Sequence, residues 1–176
     1  MKKITEYINY ECPLAPGYFY HVFNRSNNKE LLFRSDENRK YFLKKFQEYL
    51  SPFLAVYCYC LLGNHFHLLV RIREERELEN YLLGLPIQER SIAQKKLLSL
   101  SPDLRMWSDV LTSQFQRFFT GYAMAVNKQW GRQGNLFHRP FQRVAVQDEN
   151  HLMWLVYYLH ANPKKHGLME DFRRYP

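Results

Sequence analysis

The chain has 176 residues, of which 46% are hydrophobic and 16% aromatic, so it can bury a core and is not a disordered segment. With 25 Lys and Arg against 17 Asp and Glu it carries a formal net charge of +8, a balance that points to a polyanionic partner such as nucleic acid. No apolar run reaches the ~18 residues of a membrane span, and Met1-Lys2-Lys3 leads into no signal-type apolar segment, so a cytoplasmic protein is expected.

Residues 1 to 16 contain Pro13 and Pro16, end at Gly17, and read as an arm before the first element. Tyr18 to Asn24 is aromatic and β-branched, a strand by composition, and Arg25-Ser26-Asn27-Asn28 breaks it. From Ser35 a helix is expected: Asp36 and Glu37 favour its first turn, Tyr41, Phe42, Lys45, Phe46, Tyr49 and Leu50 form one stripe, and Ser51-Pro52 ends it. Leu54 to Leu61 is a second strand. Gly63-Asn64 is turn chemistry, and the apolar run from His65 to Val70 follows as a third strand, giving an antiparallel hairpin expected at the sheet's centre.

Residues 74 to 107 change character, with the charge run Glu74-Glu75-Arg76-Glu77, the break Leu85-Pro86 and a Ser/Pro-rich connector from Ser99 to Asp103, and read as helical insertion and linker. Leu111, Phe115, Phe118, Tyr122 and Val126 recur at helical spacing in a helix that closes before Gly131. After a loop over residues 131 to 135, Phe141 to Val146 alternates as another strand. Asp148 caps a last helix whose buried face is Leu152, Leu155, Val156 and Leu159, with Pro163 and Gly167 as its stop. The three cysteines suit neither a disulfide framework nor a zinc ribbon, because Cys58 and Cys60 lie too close along one strand to bridge and lack a matching second pair.

Two places carry chemistry. Alternation along a strand puts His65 and His67 on one face, where two imidazoles can share a metal ion; the same spacing also suits two ordinary histidines on a half-buried strand. Tyr158 and Asn162 are four residues apart, hence on one helical face. If that face packs beside the histidine strand, Asn162 adds an oxygen ligand and Tyr158 points at whatever the metal polarises. Standing alone, the string is a half-buried tyrosine with a C-terminal Asn cap. Tyr157 is the rival phenol, turned about 100° away. Arg25, Lys128, Arg132, Arg139, Arg143, Lys164 and Lys165 are the candidate contacts to a nucleic-acid backbone. Tyr18, Tyr20 and His21 suit base stacking or the core, and His138, His151, His160 and His166 have no evident partner in the sequence.

His65-Phe66-His67 followed far downstream by Tyr158 and Asn162 resembles the single-tyrosine HUH transposases, in which two histidines flank a bulky apolar residue. The strings GYFYHVFNR at 17 to 25, LLGNHFHLLV at 61 to 70, GNLFHRPFQRV at 134 to 144 and YLHANPKKHGL at 158 to 168 look like the branch that includes the REP-associated tyrosine transposases; residues 74 to 107 match least. The resemblance implies one domain over residues 1 to 176 with a variable helical insertion around 74 to 107. Its fold class is α+β, an antiparallel sheet of roughly four to five strands, ferredoxin- or RRM-like, with the histidines on a central strand and helices covering one face. It further implies a divalent metal, Mg2+ or Mn2+, bound by His65, His67 and Asn162. Many relatives carry Gln at the Asn162 position, and Asn reaches one methylene less far.

The implied activity is nicking and rejoining of hairpin-containing single-stranded DNA in transposition and recombination, in the bacterial cytoplasm or nucleoid. Tyr158 is the nucleophile, four residues before Asn162, and the intermediate is a 5′-phosphotyrosine. The resemblance leaves room for a homodimer. Other readings are a replication-initiator or relaxase-like nickase, a catalytically silent hairpin-binding protein, and a metal-dependent hydrolase without covalent catalysis.

Overall fold

The computed structural model describes residues 9–171. In chain order its elements are β1 (Phe19–Arg25), α1 (Asp36–Leu50), β2 (Leu54–Leu62), β3 (His65–Ile72), α2 (Glu75–Gly84), α3 (Ile92–Leu98), α4 (Trp107–Trp130), β4 (Gln142–Ala145) and α5 (Glu149–Lys165), with short 3-10 turns between some of them. The strands form one four-stranded sheet of order β2-β3-β1-β4. Every neighbouring pair is antiparallel, and the fold is α+β, as the sequence implies.

The β2-β3 hairpin forms as expected, but it is not the middle of the sheet. β3 is central and β2 is an edge, because β1 pairs along the whole of β3 from Phe19 opposite Arg71 to Arg25 opposite His65. Alternate residues of β1 are buried, which suits a strand with neighbours on both sides, whereas Ala55, Val56 and Tyr57 of β2 are exposed.

Alternation along β3 divides the residues between two faces. Phe66, Leu68, Val70 and Ile72 enter the main core with Phe42, Phe46 and Leu50 of α1 and Phe115, Phe118 and Tyr122 of α4. Phe42 meets Phe118 and Tyr122 edge to face, and the buried Tyr122 hydroxyl donates to the Leu32 carbonyl at 2.9 Å. The other face carries His65, His67 and Leu69, and there Leu69 packs with Leu155 and Leu159 of α5 in a separate cluster. The expectation of helices on one face is therefore corrected: α1 and α4 cover one side and α5 the other. The stripe of Leu155 and Leu159 has no room in the main core and finds its apolar partner in Leu69. Each of these leucines is fully buried, a gain of about 1.5–3 kcal/mol apiece relative to exposure.

Residues 74 to 107 hold α2 and α3, whose Leu78, Leu82 and Leu97 reach the main core. A capping box starts α3, with Ser91 Oγ accepting from Gln94 N at 3.2 Å and Gln94 Oε1 accepting from Ser91 N at 2.8 Å. α4 ends at Gly131, whose φ of 59° is left-handed and favours glycine.

The N-terminal arm is docked over its described part. Leu14 is buried, the Tyr20 hydroxyl donates to Pro13 O at 3.1 Å and accepts from Ala15 N at 2.8 Å, and Glu11 bridges to Arg143 of β4. The rest of that arm, residues 1–8, lies outside the described residues. At the other end α5 runs through Pro163, the expected stop, to Lys165, with His166 N still bonding Asn162 O at 3.0 Å before Gly167 turns left-handed. The extra turn places Lys164, Lys165 and His166 beside the sheet. Among the described residues no helix is long and apolar enough to cross a membrane.

Candidate active site

The site begins with the two β3 histidines. Pairing with β1 sets His65 opposite Arg25 and His67 opposite Phe23. His65 Nδ1 lies 2.7 Å from Asn64 Oδ1, and because an amide oxygen only accepts, the proton sits on Nδ1 and Nε2 keeps its lone pair. His67 is buried, with Nδ1 3.0 Å from Nε2 of His21. The His21 ring stacks against both Phe23 and His67, which also stack on each other.

Burial, reinforced by the neighbouring His21 and His65, lowers the His67 pKa to about 3. Burial with His166 and Arg25 nearby lowers His65 to about 4, and burial with His151 nearby lowers His21 to about 4. Near neutral pH these imidazoles are therefore uncharged, the form that donates a lone pair to a metal.

α5 supplies the facing groups. Tyr158, Asn162 and His166 follow at one-turn intervals and so share a side of the helix. The Tyr158 ring meets His67 edge-on at 5.6 Å and His21 at 6.1 Å, and the His166 ring meets His65 at 4.9 Å. Asn162, between them on that side, is fully buried. Its Nδ2 donates to the Tyr158 carbonyl at 3.1 Å, while its Oδ1 has no partner. An unsatisfied buried acceptor costs about 1–3 kcal/mol, and an amide oxygen together with two neutral imidazoles is the kind of donor set a divalent cation accepts. Among the described residues no group of three or more His, Cys, Asp or Glu is placed to hold a metal.

The phenol is held from several directions. Trp154, one turn earlier, stacks on the Tyr158 ring at 5.0 Å and 10°, and Lys165 Nζ lies 5.5 Å from the ring centre. Tyr157 is turned out to solvent, as the 100° step between helical neighbours requires.

The candidate cations divide. Arg25 is exposed at the end of β1 opposite His65, and Lys164 and Lys165 are exposed at the end of α5. Arg139 is exposed in the segment before β4, and Lys128 is exposed on α4 beside a hollow shared with Glu37 and Asn38. Arg132 is gripped by both Glu30 oxygens at 2.5 and 2.8 Å and by Asn127. Arg143 is buried and donates to the carbonyls of Cys12 at 2.8 Å and Glu11 at 3.3 Å. Those two guanidinium groups serve internal ties. Of the first-strand aromatics, Tyr20 is core, Tyr18 is exposed and His21 joins the site.

His21, Trp154 and His166 are the site residues that sequence reasoning misses. Trp154 and His166 carry a usable signal, since both lie on the Tyr158 side at multiples of four residues. His21 carries none until β1 is known to pair with β3.

No protein-family model and no curated protein matches the sequence. A solved structure, of the REP-associated tyrosine transposase bound to a REP hairpin, superposes with a TM-score of 0.59 at 15% identity, covering 98% of this chain and 81% of that one. At that identity the likeness is one of fold, and it extends over nearly the whole chain.

Proposed function

We propose that this protein is a metal-dependent single-stranded DNA transposase or endonuclease of the HUH type, which nicks and rejoins hairpin-containing DNA through a 5′-phosphotyrosine at Tyr158. The observation that carries the reading is the meeting of α5 with the β3 histidines: Tyr158 lies edge-on to His67, and the buried Asn162 oxygen on the same side of the helix lacks a donor. The fold of a transposase solved on a DNA hairpin supports the choice of partner, as does the net charge of +8.

In the proposed reaction the Tyr158 phenol oxygen bonds to phosphorus while the bond from phosphorus to the 3′ oxygen breaks. The phenol gives up its proton and the departing 3′ oxygen takes one up, leaving a 5′-phosphotyrosine and a free 3′-OH. Attack by another 3′-OH reverses the step, so strands are rejoined without ATP. His65, His67 and Asn162 would hold Mg2+ or Mn2+, which when bound polarises the scissile phosphate and spreads its developing charge. Asn64 and His21, each bonded to an Nδ1, orient the two imidazoles so that Nε2 is left for a ligand. The Lys165 ammonium lies over the Tyr158 ring, and Trp154 stacked on it fixes the ring plane.

The test is incubation of the protein with 5′- and 3′-labelled single-stranded hairpins and Mn2+, followed by a denaturing gel. The expected result is a covalent band on the strand that keeps its 5′ phosphate, abolished by EDTA and by Tyr158→Phe and reduced about a hundredfold or more by His67→Ala. An adduct that survives Tyr158→Phe and disappears with Tyr157→Phe overturns the assignment of the nucleophile. Tight binding without an adduct under any metal makes the protein a hairpin-binding module.

A further inference from the structure

The solvent side of α5 exposes large apolar groups beside the site: Met153 is 68% exposed, Trp154 56% and Tyr157 73%. Single exposed apolar residues need no explanation, but Trp154 and Tyr157 share a hollow with Tyr158, and one indole face of Trp154 lies against its ring. Trp154, Tyr157, Tyr158, Ala161, Lys164 and Lys165 line this hollow of about 330 Å³. The hollow thus joins open aromatic surface to two ammonium groups.

We infer that this hollow is a stacking shelf for one unpaired nucleobase of the DNA strand, the base next to the phosphate that Tyr158 attacks; the inference rests on the DNA-nicking reading above. Aromatic faces take any base, and lysines beside them meet the flanking phosphates. A protein partner suits the hollow less well, since lysine is depleted at the centre of protein interfaces and its ammonium must there be stripped of water. The position fixes which base is involved: the Tyr158 ring is itself a wall of the shelf, so the occupant belongs to a nucleotide adjoining the scissile bond.

The experiment measures binding in EDTA, where no strand is cut, of a hairpin with single-stranded flanks, the same hairpin blunt-ended, and flanked hairpins with one abasic position moved along the flank. Wild-type protein should prefer the flanked hairpin and lose that preference at one abasic position. Trp154→Ala and Tyr157→Ala should each weaken binding of the flanked hairpin by about tenfold and leave the blunt one unchanged, with Trp154→Phe restoring most of the loss. Both side chains are largely in water, so the two variants fold independently of the shelf's purpose. The shelf is overturned if wild type shows no preference for the flank, if the variants bind flanked DNA as wild type does, as a protein-docking surface would allow, or if both hairpins are weakened equally. A wild-type chain that binds neither hairpin overturns the DNA-nicking reading as well, whereas an intact adduct with an indifferent Trp154→Ala removes only the shelf.

Discussion

Arg25 and Arg143 carry the same charge and do different work. Arg143 donates to two backbone carbonyls of the N-terminal arm and lies over the Phe141 ring, so it holds residues 11 and 12 against β4. Arg143→Met should therefore cost about 1–3 kcal/mol in chemical denaturation, by leaving two part-buried carbonyls without their donor, and should scarcely change the salt dependence of DNA binding. Arg25→Ala should do the reverse: an unchanged unfolding midpoint, weaker DNA binding, and a log-log salt slope smaller in magnitude by about 0.7 for the lost contact to a single strand. The sequence shows both as basic residues in a promising neighbourhood and cannot separate them, because burial of a guanidinium depends on which carbonyls the fold brings to it. Cys60 is a similar case. Burial and the adjacent Cys58 thiol push its pKa up to about 12, so it stays protonated and should resist iodoacetamide at pH 8 until the protein is unfolded, as mass spectrometry of the native and denatured protein would show.

Among the elements α5 matters most. It is fastened to the histidine side of the sheet by the small cluster of Leu69, Leu155 and Leu159. Leu159→Ala should cost about 2–5 kcal/mol of stability, read from denaturant titration, and should lower adduct formation at temperatures where the protein is still folded, because the Tyr158 ring is referenced to the histidines through that docking. Periodicity makes the existence of α1, α4 and α5 and their apolar stripes legible, and alternation does the same for β1 and β3. What it leaves out is pairing across long separations. Nothing local says that β1 lies between β3 and β4, so β2 is read as central, and nothing local says which face α5 covers. Pro163 misleads for a different reason. A proline removes one N–H but does not prevent the turn that follows when, as here, His166 N still reaches Asn162 O.

At the scale of the molecule the sheet separates two tasks. The side facing α1 and α4 is built of rings and leucines, and the other side sets neutral histidines of the sheet against the Tyr158 phenol and the unsatisfied Asn162 amide of α5. The core of the site was legible because its signals are fixed short spacings, His65 with His67 and Tyr158 with Asn162, which survive without knowledge of the fold. His21 was not, since only the register between β1 and β3 brings it to His67.

The side-chain amide of Asn162 is shared between two structures. Its nitrogen grips the Tyr158 carbonyl one turn back while its buried oxygen has no donor. Were the proposed metal to bind that oxygen, a pull on it would be a pull on the backbone that carries Tyr158, so the amide would act as a short tie rod between the two. Asn162→Gln, one methylene longer, puts slack into that rod, and a chain with this Asn trades reach for tension.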